Sequence, residues 1–227
     1  MRIGDGLKGK RVLVVQAGDF MGPALCEAFA AHGADLVADP RPLDAPDAVA
    51  AVVRDAGRID VFIGNMSVPA PQTKVEAVGD DEWRTVFGHL VDPLPRIGRE
   101  VLPQMLARRE GKVVIMGSAT ALRGQRKVSA YSAARGAQVS WVRSVGVEVA
   151  PSNVQVNLIA QNFVENPTYY PPEVCALPAF QERLRREVPL GRLARAEEDA
   201  LFAVFLASSE VNFFAGQSIA FSGGWVA

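Results

Sequence analysis

Three side chains, Ser118, Tyr131 and Arg135, are of types that together can move a proton. Tyr131 and Arg135 stand four residues apart in a segment of helical periodicity, so both project from one face and can lie within a few ångströms of each other. A guanidinium beside a phenol favours the phenolate, which can act as a general base. Arginine keeps its charge and passes on no proton, so the pair suits tuning a phenol rather than relaying protons. Ser118 can hold a substrate oxygen by a hydrogen bond while Tyr131 exchanges its proton. The same spacing is common between neighbours on a helix surface, and by itself it assigns no function.

The elements that must position these residues read as short apolar runs alternating with longer helical segments, the pattern of a parallel sheet covered on both faces. Strands are expected at Arg11–Val15, Asp35–Ala38, Asp60–Gly64, Lys112–Gly117, Gln155–Ala160 and Ser218–Phe221. Helices are expected at Met21–His32, Asp47–Ala56, Val128–Val149 and Glu197–Ala207, with one long helix at Asp80–Arg109 bent or interrupted by Pro93, Pro95 and Pro103. The segment Gln161–Pro178 carries four prolines and reads as a loop or lid. The fold class is therefore α/β, a Rossmann-like doubly wound parallel sheet forming a single domain over residues 1–227. In such sheets ligands bind outside the carboxyl ends of the strands. Phe20, Ser118 and Asn162 each follow a different strand, so three segments should converge on one crevice.

Composition bounds the partners. The 227 residues are 49% hydrophobic and 22% charged, enough to bury one substantial core. A formal net charge of −1 and a pI near 6.2 give no footprint for a polyanion, which argues against nucleic acid, although Arg183, Arg185 and Arg186 could form a local basic patch. Cys26 and Cys175 are too few and too far apart for a disulfide framework or a thiolate metal site and read as reduced core thiols. His32 and His89 lack partners at ligand spacing, so no metal is expected. No stretch approaches the ~20 apolar residues of a membrane span. A soluble, cytoplasmic protein is the expectation.

The order of elements, the Ser118 to Tyr131 spacing, the run Ala24-Leu25-Cys26-Glu27-Ala28-Phe29 and the segment Gly216-Gln217-x-Ile219-x-x-x-Gly223-Gly224 resemble the short-chain dehydrogenase/reductase superfamily over nearly the whole chain. That superfamily carries Tyr-x-x-x-Lys, and Arg135 stands in the lysine's place. Its turn Thr-Gly-x-x-x-Gly-x-Gly aligns with Val15 to Gly22 and leaves only Gly22 in register. Phe20 falls on a glycine that lets the backbone approach the cofactor, and its ring should fill that space. An asparagine usual on the long helix aligns with Leu90. These departures resemble one branch, the halohydrin dehalogenases, which combine Ser, Tyr and Arg with an aromatic residue in the degraded turn.

The resemblance implies catalysis without a cofactor: Ser118 orients the hydroxyl of a vicinal halohydrin, Tyr131 removes its proton, Arg135 supports the phenolate, and the alkoxide closes an epoxide with loss of halide. It also implies the reverse opening of epoxides by halide, azide, cyanide or nitrite, and a homotetramer. A halide site of backbone N–H groups and weakly polar edges is expected from Phe20, Gln161, Asn162, Phe163, Val164 and Tyr170. Asp39, where the superfamily meets an adenosine ribose, reads as a solvated loop carboxylate, and Asn65 as a turn stabiliser. Trp225 belongs either in the core or at a subunit interface. Two alternatives stay open: an NAD(P)-dependent oxidoreductase with an atypical turn, and a catalytically silent protein on the same fold. Substrate preference is expected to depend on Pro69–Val75, Leu122–Val128 and Pro178–Arg186.

Overall fold

Runs such as Arg11–Val15 combine β-branched residues with apolar side chains at both odd and even positions, so each face of the strand needs a covering layer. The computed structural model, which describes residues 5–226, supplies those layers. In chain order the elements are β1 (Arg11–Val15), α1 (Gly22–Ala31), β2 (Asp35–Asp39), α2 (Ala48–Ala56), β3 (Val61–Gly64), α3 (Asp80–Leu90), α4 (Pro93–Arg108) and β4 (Gly111–Ser118). They continue with α5 (Ser129–Val149), β5 (Val154–Gln161), α6 (Pro172–Cys175), α7 (Pro178–Glu187), α8 (Ala196–Ala207) and β6 (Ser218–Phe221). The six strands form one parallel sheet in the order β2-β1-β3-β4-β5-β6, a single-domain α/β fold as expected.

Strand periodicity assigns the two faces. Val12, Val14, Val61, Ile63, Val114 and Met116 meet α1 and α8 through Leu25, Phe29, Ala203 and Val204. The alternate residues Leu13, Val15, Phe62, Val113 and Ile115 meet α2, α4 and α5 through Val49, Val52, Ile97, Val101, Val139 and Val142. A smaller cluster of Phe163, Phe180, Leu184, Val188 and Trp225 seats the segment after β5. Trp225 is thus a core residue, and Arg123 lies 4.8 Å above its ring and donates to its carbonyl.

The single long helix expected over Asp80–Arg109 is two, broken at Val91 and Asp92. Pro93 begins the second, where a missing N–H costs nothing, and Pro103 is carried inside it. The proline-rich segment after β5 is more ordered than expected. Both α6 and α7 start on a proline, and α7 buries Phe180 and Leu184, with Val188 one turn further on. That i, i+4, i+8 spacing is a helical stripe that proline content had masked. Cys26 and Cys175 are free thiols, each half-buried rather than in the core. Among the described residues no helix is long and apolar enough to cross a membrane, and no group of three or more His, Cys, Asp or Glu could hold a metal ion.

Candidate active site

The strand register builds the floor of a crevice at the carboxyl end of the sheet. Ser118, the last residue of β4, pairs with Gln161, which ends β5 and pairs in turn with Phe221 of β6. Ser118 Oγ accepts from Thr120 N at 3.3 Å and lies 3.0 Å from Thr120 Oγ1. Across it, α5 presents Tyr131, Arg135 and Gln138 on its buried face.

Arg135 is buried, with its Cζ 5.0 Å from the centre of the Tyr131 ring. Its Nη1 donates to Met66 O (3.1 Å), Met116 O (3.0 Å) and Gln138 Oε1 (2.9 Å). All three acceptors are neutral, and Nε has no acceptor among the described residues. Gln138 Nε2 passes the network on to Leu90 O at 2.9 Å. A cation is therefore held in the interior beside a phenol, with its charge left uncompensated by any carboxylate it hydrogen-bonds. In such surroundings charge interactions are stronger than in water.

The degraded turn after β1 is tied to the protein rather than left open to a ligand. Gln16 and Phe20 both lie in the left-handed region, with φ of 46° and 48°, at a cost of about 1 kcal/mol or more each. Gln16 exchanges two hydrogen bonds with the Ser67 backbone, at 3.1 and 3.4 Å. Asn65 Nδ2 donates to Gln16 O and Asp19 O, both at 3.0 Å, which is the turn-stabilising part expected of it. The Phe20 ring packs 5.6 Å from that of Tyr169, whose hydroxyl donates to Val68 O (2.9 Å) and accepts from Ala70 N (3.0 Å). Burial, followed by the neighbouring Tyr131, pushes the Tyr169 hydroxyl far above its ordinary value.

A nicotinamide dinucleotide, which this fold commonly carries, does not fit these residues. The amides of Ala17, Asp19 and Gly22 are bonded within the protein, and Pro23 at the start of α1 offers no N–H to a pyrophosphate. Asp39 is buried, not solvated as expected, and is clamped by Arg41, whose Nε reaches both carboxylate oxygens at 3.0 Å. Burial opposes its charge, but the Arg41 hydrogen bonds outweigh that and hold the carboxyl below the ordinary aspartate range.

Phe20, Ser118, Tyr131, Arg135, Gln161, Asn162, Phe163, Val164 and Tyr170 all line one cavity of about 210 Å³. The backbone nest expected for a small anion is partly consumed. Asn162 N donates to Phe221 O at 3.1 Å, and Phe163 N donates to Asn162 Oδ1 at 2.9 Å. What remains on that wall is the edge of Phe163, Tyr170 with its hydroxyl pushed up to about 12 by burial, and the Gln161 amide, whose Oε1 is buried without a partner. Sequence reasoning had not placed Gln138 in the site, and it reached Arg183 only through the segment Pro178–Arg186 expected to shape substrate preference. Of the three arginines on α7, it is the one that lines the cavity.

Residues 37–226 match the family model described as enoyl-(acyl carrier protein) reductase. The chain belongs to the short-chain dehydrogenase/reductase family. Among short-chain dehydrogenase/reductase relatives it is 28% identical over 249 residues to the 3-oxoacyl-(acyl-carrier-protein) reductase FabG of Thermotoga maritima, covering 97% of this chain and 99% of that one. It is 32% identical over 186 residues to the cis-4-hydroxycyclohexanecarboxylate dehydrogenase of Sinomonas cyclohexanicum, covering 80% and 73% respectively. A solved structure of a dehalogenation enzyme superposes with a TM-score of 0.90 at 28% identity, covering 97% of this chain and all of that one.

Proposed function

We propose that the protein converts vicinal halohydrins to epoxides, releasing halide and a proton without a cofactor. The observation that carries this reading is the occupied crevice: Phe20 against Tyr169, Gln16 locked to Ser67, and Arg135 engaged by interior carbonyls. The similarity to a dehalogenation enzyme supports it. Ser118 and Tyr131 hold the substrate hydroxyl, and the Tyr131 phenolate, supported by the Arg135 charge, takes its proton. The alkoxide oxygen attacks the neighbouring carbon from the rear, so that a C–O bond forms as the carbon–halogen bond breaks and its electron pair leaves with the halide. Catalysis then consists of positioning and a tuned base. The halide leaves toward the wall formed by Phe20, Gln161 to Val164 and Tyr170. In reverse, Tyr131 acts as the acid while a small anion opens the epoxide.

The test is to mix the protein with a short vicinal chloroalcohol or bromoalcohol, without nicotinamide, and to follow halide and acid while NADH and NADPH binding is titrated separately. Stoichiometric halide and acid without dinucleotide binding are expected. Dinucleotide binding without halide would favour the second reading, an NAD(P)-dependent oxidoreductase, which the reductase and dehydrogenase names of the relatives support.

A further inference from the structure

The cavity that holds Tyr131 is lined by two arginines, Arg135 and Arg183, and by no aspartate or glutamate. The two cations are placed differently. Arg135 is interior, with Nη1 donating to two carbonyls and to Gln138 and with its Cζ 5.0 Å from the centre of the Tyr131 ring. Arg183 is half-exposed on α7, and its Nε bonds Glu187 Oε2 at 3.2 Å while its Cζ sits 5.6 Å over the Phe163 ring. Its two Nη groups have no hydrogen-bond partner among the described residues. A planar fork with both terminal nitrogens open is the geometry that takes a carboxylate in two parallel hydrogen bonds. Gln72 and Gln125, which also line the cavity, likewise make no side-chain hydrogen bond among the described residues. The lining therefore combines proton-transfer chemistry at Tyr131 with unspent donors on Arg183, Gln72 and Gln125, in a space suited to a short molecule.

We propose that Arg183 is a substrate-binding residue and that the substrates are short vicinal halohydrins, or the matching epoxides, bearing a carboxylate. This rests on the lyase reading for the reaction and on the cavity's charge for the substrate class. Glu187 lowers but does not cancel the attraction, because it meets Nε and leaves both Nη groups without a hydrogen-bond partner among the described residues.

Binding can be measured without turnover. 3-Hydroxybutanoate and its neutral counterpart 3-hydroxybutanamide, neither carrying a halogen, are titrated calorimetrically into the full-length protein, into Arg183→Gln and into Arg186→Gln. The last variant removes an equal charge from the same helix outside the cavity. The carboxylate should bind at least about tenfold tighter than the amide to the unaltered protein and to Arg186→Gln, with the ratio falling to near unity in Arg183→Gln. No preference in the unaltered protein, a preference that survives Arg183→Gln, or one lost equally in Arg186→Gln overturns the proposal. So does azide binding that depends on Arg183 when carboxylate binding does not, since the site would then belong to a free inorganic anion. A parallel assay of chloride release from 4-chloro-3-hydroxybutanoate and its amide separates the two readings. Silence with both, alongside an intact binding ratio, would sink the lyase and leave the carboxylate site standing.

Discussion

Replacing Gln138 by glutamate would put a carboxylate where an amide oxygen now accepts from Arg135 Nη1 at 2.9 Å. The fold should tolerate the change at a cost of about 1–3 kcal/mol, since the residue is nearly isosteric and pairs with Arg135 but loses the donation from Gln138 Nε2 to Leu90 O. The chemistry should not. Two unit charges about 5 Å apart interact by about 3 kcal/mol at an effective dielectric of about 20, and the Arg135 Cζ lies 5.0 Å from the centre of the Tyr131 ring. A glutamate offsetting half of that attraction would withdraw roughly 1.5 kcal/mol, or about tenfold in rate. Halide release from a neutral bromoalcohol, followed from mildly acidic to alkaline pH, should be about tenfold slower at neutral pH and should recover as alkali does the work of the lost cation. A folded Gln138→Glu protein that matches the unaltered rate at neutral pH would refute the claim that Tyr131 uses the charge on Arg135.

Tyr131→Phe and Arg135→Lys should each reduce halide release by roughly a hundredfold or more while circular dichroism and the thermal midpoint stay near those of the unaltered protein. If Arg135→Lys stays near the unaltered rate at neutral pH, the tuned-phenolate mechanism fails. Asp199, buried in α8 with neither carboxylate oxygen hydrogen-bonded, offers a pH test of stability. Burial lifts its carboxyl from an ordinary 3.8 to about 8. Because the folded value is the higher one, its contribution is complete below 3.8 and is lost as the pH rises through about 8. Asp199→Leu should therefore gain stability over the unaltered protein at mildly alkaline pH and show a flatter thermal midpoint between acid and alkali, read by differential scanning calorimetry. A midpoint difference that does not change with pH would show that Asp199 is not neutral in the fold.

The parts of the fold legible in the sequence are those set by periodicity. Every strand expected was found within a residue or so, because fully buried parallel strands are short apolar runs with few other readings. Proline was read correctly in one place and misled in another. The long helical segment is interrupted ahead of Pro93, one of the two outcomes expected, whereas Pro171, Pro172 and Pro178 marked helix starts within a segment read as irregular. At the site, Ser118, Tyr131 and Arg135 were legible because residue type and spacing both spoke. Gln138 was not, since a glutamine three residues beyond Arg135 becomes meaningful only when Leu90 O and the guanidinium are seen to share it. Tyr169 and Tyr170 look alike in sequence, yet one braces the loop after β3 and the other packs against Phe163 and Phe180. Asp39 was misjudged because Arg41, two residues on, was not weighed as its partner.

The turn after β1 bears on how such a protein can change over time. The amides of Ala17, Asp19 and Gly22 are bonded internally, Asn65 spans it from the next strand, Gln16 locks it to Ser67, Phe20 leans on Tyr169, and Pro23 removes a donor at the helix start. Restoring glycine at position 20 alone would leave Tyr169 without the Phe20 ring against it. The turn thus binds three separate segments into one unit, so a change of ligand chemistry there would have to repack Phe20, Tyr169, Asn65 and Gln16 together, with single steps losing packing first.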